Sequence, residues 1–169
     1  EQMAEVAVSA RQWASMNPIA YHRTPITVED VLNSRMISSP IHLLDSCMVS
    51  DGGTAYVVVG ADRANDFKNP PVWVMGMGEK GKGRYLTWAD DLADIRVTEM
   101  ATKQALEMAG VTISDIDLAY PYDASTIFTI GYLEQLGFCK IGEGGSFVEG
   151  GRIAPGGELA VNTHGGLMS

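Results

Sequence analysis

The side chains best suited to move a proton or meet a developing negative charge lie in two short runs. Tyr122-Asp123 sets a phenol beside a carboxylate, and Asn162-Thr163-His164-Gly165-Gly166 puts an amide and an imidazole into a glycine turn. A phenol, with an unperturbed pKa of about 10, donates a hydrogen bond or a proton without help. To act as a base at neutral pH it needs a helix N-terminus or a network of donors. Residues 116–120 are a short, mostly apolar run, as expected of a strand buried on both faces. Pro121 has no N–H, so the ladder should end there. Ile127, Ile130, Leu133 and Leu136 then recur at helical spacing, and Gly137 stands where a helix C′ glycine would. Asp123 suits the N-cap of that helix, which would hold Tyr122 at its positive end. In α/β folds chemistry usually sits at the C-terminal end of a strand beside a helix N-terminus. The same residues also fit a plainer reading, with Tyr122 a packed corner side chain and Asp123 only a cap.

Other reactive residues carry weaker signals. His22, His42 and His164 are scattered and lack the short Cys/His spacings of zinc sites, so no metal is expected. Cys47 reads as a small buried filler more readily than as a nucleophile. Asp51 reads as a turn residue rather than an acid catalyst. Gly76-Met77-Gly78-Glu79-Lys80-Gly81 matches the G-x-G-x-x-G spacing, but no helix follows it in the sequence, so a dinucleotide site is rejected.

The elements that must position these groups alternate. Residues 1–16 suggest an amphipathic helix with Met3, Val6, Ala10 and Trp13 on one side, ended by Asn17-Pro18. Thr27-Val28-Glu29-Asp30 resembles a helix start, with Val28, Val31 and Leu32 as its apolar face. Ser38-Ser39-Pro40 breaks that segment. Residues 55–59 read as a strand apolar on both faces, expected inside a sheet completed by other segments. Pro70-Pro71 marks a junction, residues 72–75 a second strand, and residues 94–109 a helix with Val97, Met100, Ala101, Ala105 and Met108 inward and Gly110 after it. Strands alternating with helices indicate an α/β sheet. Of 19 glycines, 10 fall between Gly137 and Gly166. That density implies positive-φ turns and close backbone approach, or else a mobile surface excursion without a role.

Composition bounds the class. The chain has 169 residues, 46% hydrophobic and 20% charged, with a net charge of −9. That suffices for one domain with a real core. The acidity argues against nucleic acid as a partner, and no apolar run is long enough to span a bilayer. Two cysteines, Cys47 and Cys139, form no disulfide framework and suit a reducing cytoplasm. A globular domain seldom ends on a Gly-Gly turn plus three residues, so the chain reads as part of something larger.

Several motifs, in order along nearly the whole chain, resemble one family. They are Asp45-Ser46-Cys47-Met48-Val49-Ser50-Asp51-Gly52-Gly53-Thr54-Ala55, Tyr122-Asp123-Ala124, Leu136-Gly137-Phe138-Cys139, Gly142-Glu143-Gly144-Gly145-Ser146-Phe147-Val148-Glu149 and Val161-Asn162-Thr163-His164-Gly165-Gly166-Leu167-Met168-Ser169. Together they resemble the C-terminal half of the thiolase superfamily, in its lipid-transfer-protein (sterol-carrier-protein-x-like) branch. Within that branch they are most similar to the thiolase-like aldolases of steroid side-chain degradation. The resemblance implies an incomplete thiolase-like layered α/β fold. Residues 1–69 would close the N-terminal half, and residues 70–169 would form a truncated C-terminal half.

The resemblance also implies chemistry. Thiolases usually carry Asn-Glu-Ala or His-Asp-Cys where this chain has Tyr122-Asp123-Ala124, the Asn or His helping to bind the thioester oxyanion. A tyrosine there marks the aldolase-like members, which cleave a 3-hydroxyacyl-coenzyme A by a retro-aldol step to a ketone and a shorter acyl-coenzyme A. Tyr122 is thereby the implied catalytic residue, with Asp123, Asn162, His164, Gly165 and Gly166 in oxyanion and positioning roles. Ser46, Cys47, Met48, Ala124 and Ser125 are implied to line the pantetheine arm. Coenzyme A enters as part of the substrate, and no separate cofactor is implied. A thiolase-type homodimer and a small OB-fold (DUF35-type) acyl-coenzyme-A-binding subunit are the implied partners. A second tyrosine of the aldolase-like members would fall just beyond Ser169. Two other readings stand beside this one: a thiolase (acetyl-coenzyme A acyltransferase) with an upstream cysteine nucleophile, and a non-enzymatic acyl-coenzyme A or lipid carrier.

Overall fold

A computed structural model describes residues 1–81 and 96–169. Helix α1 (Gln2–Met16) is the central element, in contact with α2 (Val28–Asn33), α4 (Thr126–Leu136) and α5 (Gly144–Val148). Its small residues permit this: Ala4, Ala7, Ala10 and Ala14 are all buried, so neighbours approach its backbone closely. The apolar face therefore wraps further round than one stripe. Val6 and Ala10 join Ile130, Leu133, Val148, Ile153, Leu159 and Met168 in the larger core, with Met3 partly buried against it. Ala4 and Ala7 join Val31 in a second, smaller one. Trp13 packs partly and donates its indole N–H to the Ile153 carbonyl at 3.0 Å.

Thr27 caps α2 as expected. Its hydroxyl accepts from the Asp30 N–H at 3.1 Å, and the Asp30 carboxylate accepts from the Thr27 N–H at 2.7 Å. Leu32, expected on the apolar face, is instead exposed. After the break come a hairpin of β1 (Met36–Ser38) and β2 (Ile41–His42), then a 3₁₀ turn at Leu43–Asp45. Helix α3 (Arg96–Ala109) ends on Gly110 at φ +70°. Its expected start at Asp94 lies outside the described residues. Val97, Ala101 and Ala105 are half-buried, but Met100 and Met108 face outward.

Strand β3 (Leu118–Ala119) runs parallel to β4 (Ala160–Val161), with Leu118 opposite Ala160 and Ala119 opposite Val161. The strand expected at 116–120 is thus two residues long. Thr112 and Asp115 cap a 3₁₀ turn at Ile113–Asp115 that uses up the residues before it. Residues 55–59 and 72–75 form no ladder among the described residues. Val57 and Val58 are each 77% exposed, and Val72, Trp73 and Val74 are also exposed. A strand requires a neighbouring backbone to pair with, and no described residue pairs with either run. The parallel pair with its covering helices is the α/β core of this partial chain.

Helix α4 is more buried than α3 and closes as expected. Gly137 takes φ +90°, its N–H reaches the Glu134 carbonyl at 3.1 Å, and the Phe138 N–H reaches Leu133 at 3.0 Å. Its buried face is Thr126, Thr129, Ile130, Leu133 and Gln135, while Ile127 points outward. The glycine-rich stretch 142–158 is a packed layer rather than a loose excursion. It holds α5 and a 3₁₀ turn at Glu149–Gly151, and it buries Val148, Ile153 and Ala154. Gly76 and Gly78 lie against α3, where a Cβ would overlap the carbonyls of Ala105 and Ala101. Close helix packing, not a phosphate, accounts for that glycine spacing.

Candidate active site

Three segments meet at the corner between β3 and α4. Residues 121–126 form the corner, 45–48 pass alongside it, and 162–169 close over it. The Cys47 N–H donates to the Ala124 carbonyl at 2.9 Å, and Ser46 bridges Ser125 in antiparallel fashion. This short ladder keeps Ser125 extended, at φ −154° and ψ 154°, and delays the start of α4 to Thr126. Asp123 is therefore not the N-cap: Ser125 occupies that place, and its hydroxyl, shielded from solvent, has no partner among the described residues. A buried pair fixes the junction. The Thr126 hydroxyl donates to Asp45 at 2.9 Å, while the other Asp45 oxygen accepts from the His42 N–H at 3.0 Å. Asp45 opens the 45–55 motif and Thr126 lies in the first helical turn. Nothing in either local pattern reveals that they meet.

Asp123 is 3% exposed and holds the closing turn. Both of its oxygens lie 3.1 Å from the Leu167 N–H. Burial raises its pKa above the ordinary carboxylate value. Hydrogen bonds from the Leu167 and Asp123 amides, the nearby His164 and the Asn162 side chain act in the opposite sense. Asn162 is buried and adopts φ +47°, a conformation more accessible to asparagine than to most residues. Its side-chain N–H donates to the Pro121 carbonyl at 3.0 Å, its backbone N–H to Ala119 at 3.0 Å, and its carbonyl accepts from Gly165 at 2.9 Å. Asn162 thus staples the corner to the turn and does not project into solvent.

Gly165 and Gly166 have φ of +109° and +68°. A Cβ on Gly165 would fall 2.7 Å from the Ala14 Cβ, and one on Gly166 would overlap the Asp123 carboxylate. Leu167 returns its carbonyl to the Met48 N–H at 3.0 Å, which joins the 45–48 segment to the turn. Arg11, a residue that sequence pattern did not single out, grips the end of this segment. Its buried guanidinium donates to the Ser169 hydroxyl at 2.9 Å and to the Met168 carbonyl at 3.4 Å.

Tyr122 itself is 61% exposed, and its hydroxyl makes no hydrogen bond among the described residues. It is not a packed corner side chain, and among the described residues it belongs to no donor network. Its neighbour Tyr120 is also exposed and shares a 2.6 Å hydrogen bond with Thr163, its ring tilted against His164 at 5.4 Å. His164 is exposed, tied by its carbonyl to the Asn17 side chain at 2.9 Å. Backbone thus places Tyr122 beside a helix N-terminus, with the phenol open to a ligand. Asp123 and Asn162 work behind it as architecture.

The cysteines divide. Cys47 lies half-buried at the corner, and Cys139 half-buried at the far end of α4. Burial first, then Glu134 and Glu143, push the Cys139 thiol up to about 11, so it stays protonated near neutral pH. Among the described residues no three His, Cys, Asp or Glu side chains group as metal ligands do. Among them too, no helix is long and apolar enough to cross a membrane.

Comparison with known proteins agrees with this architecture. Residues 78–169 match the family described as thiolase C-terminal domain-like. The steroid side-chain-cleaving aldolase of Thermomonospora curvata is 40% identical over 173 residues, covering 99% of this chain and 44% of that protein. The acetyl-CoA acetyltransferase of Methanothermobacter thermautotrophicus is 38% identical over 169 residues, 100% of this chain and again 44% of its own length. Among solved structures, the Ltp2-ChsH2(DUF35) aldolase superposes with a TM-score of 0.90 at 39% identity, covering 99% of this chain and 45% of that one. This chain thus spans less than half the length of the relatives it matches. On the family match and the fold together, the chain belongs to the thiolase C-terminal domain-like family.

Proposed function

We propose that this chain is the C-terminal part of a thiolase-like aldolase that cleaves a 3-hydroxyacyl-coenzyme A with a steroid or branched side chain. The observation that carries the reading is Tyr122. An exposed phenol, unpartnered among the described residues, stands at the strand-to-helix corner where thiolases carry an oxyanion-binding Asn or His. Similarity to an aldolase named for steroid side-chain cleavage supports the same class. In the proposed reaction the C3 hydroxyl loses its proton and the C2–C3 bond breaks. C3 leaves as a ketone, and the bond's electron pair passes into a thioester enolate. Protonation at C2 then yields the shorter acyl-coenzyme A. Tyr122 transfers or donates a proton, and oriented donors at the corner stabilise the enolate oxygen.

The positions of the other residues support the remaining proposed roles. Ser46, Cys47 and Met48 run beside Ala124 and Ser125, so this seam is the proposed track of the pantetheine arm. Asp123, Asn162, Gly165 and Gly166 hold the turn, and His164 lies on its open rim. A thiolase-type homodimer and an OB-fold (DUF35-type) subunit are the proposed partners. Similarity to the Ltp2-ChsH2(DUF35) aldolase supports the second of them.

The test uses the full-length protein with its partners. Tyr122→Phe keeps the ring and removes the hydroxyl. Release of ketone and shortened acyl-coenzyme A should fall by roughly 10²–10⁴-fold, the usual cost of losing one well-placed catalytic group. Acyl-coenzyme A affinity should hardly change if the group acts mainly in the transition state. Turnover near that of the wild type would reduce Tyr122 to a bystander. Acyl transfer by an upstream cysteine, favoured by the 38% identity to an acetyl-CoA acetyltransferase, would then lead. Thiolysis by free coenzyme A is its assay.

A further inference from the structure

Helices α1 and α4 and strand β4 line a small, partly open cavity of about 10 Å³ behind the closing turn. Aliphatic side chains make most of its wall, but Ser9, Asp123, Thr129 and Asn162 line it too. The volume corresponds to about one water molecule, and a polar cavity of that size is where buried waters settle. A second observation is independent of the volume. The Thr129 hydroxyl oxygen is fully buried and has no hydrogen-bond partner among the described residues. Buried hydroxyls are almost always paired, so this one calls for a partner. Asp123 can supply the other end. The Leu167 N–H, the Asp123 amide and the Asn162 side chain already donate to it, and an ionised carboxylate accepts about four hydrogen bonds, which leaves room for one more.

We infer that the cavity binds one ordered water bridging the Thr129 hydroxyl and the Asp123 carboxylate. Thr129 is then a positioning residue. Through the water it orients the carboxylate that holds Leu167, and Leu167 in turn joins Met48 to the turn. This inference concerns the architecture and holds whichever reaction the corner carries.

The experiment is a set of high-resolution crystal structures of the full-length protein: wild type, Thr129→Ser and Thr129→Val. The expected result is one well-ordered water within about 3.2 Å of residue 129 Oγ and an Asp123 oxygen in the wild type and the Ser variant, and none in the isosteric Val variant. Exchange of the Leu167 amide proton should rise roughly tenfold in Thr129→Val and return to the wild-type rate in Thr129→Ser, a rescue that simple loss of packing would not produce. An empty wild-type cavity would overturn the inference. So would a Thr129 hydroxyl turned back to the Ser125 carbonyl one helical turn away, or a water that persists unmoved in Thr129→Val. Should the Val variant fail to fold, the wild-type and Ser maps still decide between the outcomes.

Discussion

Gly166 sits at φ +68°, and the place a Cβ would take is already occupied by an oxygen of Asp123. Gly166→Ala therefore meets two separate penalties. An L-residue held in the left-handed region costs roughly 1–2 kcal/mol. Moving the carboxylate aside breaks its contact with the Leu167 N–H, now 3.1 Å from both oxygens. A hydrogen bond to a charged group contributes about 1.5–3 kcal/mol. The substitution should thus cost about 2.5–5 kcal/mol, a large share of the roughly 5–15 kcal/mol that typically holds a domain together. Gly142→Ala is the control. Gly142 also has positive φ, +87°, but faces open space, so only the backbone penalty of about 1–2 kcal/mol applies. Urea denaturation of the full-length protein, followed by tryptophan fluorescence, measures both. Asp123→Ala supplies the decisive comparison. With the carboxylate gone there is room for the Cβ, and Gly166→Ala on that background should cost only about 1–2 kcal/mol. If Gly166→Ala costs the same with and without Asp123, or no more than Gly142→Ala, the carboxylate does not hold the turn and the reasoning fails.

Other outcomes follow from the same geometry. Thr126→Val removes one of the two donors that hold the buried Asp45, and should destabilise by about 1–3 kcal/mol in urea titrations; a neutral effect would deny the pair its role at the corner. Asp123→Asn probes the titration of the buried carboxyl, whose folded pKa is raised by burial. Its contribution to stability is complete below the ordinary carboxylate value and is lost as pH rises through the raised folded value. The advantage of wild type over Asp123→Asn should therefore shrink with rising pH in that window, by at most about 1.4 kcal/mol per pH unit, and a widening gap between matched urea midpoints contradicts it. Met48→Glu sets a charge on the seam beside the turn and should raise the Kd for acyl-coenzyme A by roughly tenfold, equivalent to about 1.4 kcal/mol, without a change in the urea midpoint; unchanged affinity moves the pantetheine track elsewhere.

Local chemistry and its order along the chain could be read directly from the residues. Helix α2 was legible because Thr27 and Asp30 are spaced for reciprocal capping, and the end of α4 because Gly137 supplies a positive φ. The Tyr122 corner and the 162–169 turn were also legible, because strand, proline, polar pair and glycine pair are short-range signals. What those residues do there depends on packing between distant segments. Asp123 looked like a helix cap, but pairing of Ser46 with Ser125 starts the helix later and frees the carboxylate to hold Leu167. Arg11, Asp45 and Thr126 matter through partners distant in sequence, and no periodicity records such pairs. Residues 55–59 show the converse. Their apolar pattern reads as a buried strand, yet a strand exists only where another backbone pairs with it, and no described residue of this chain does so.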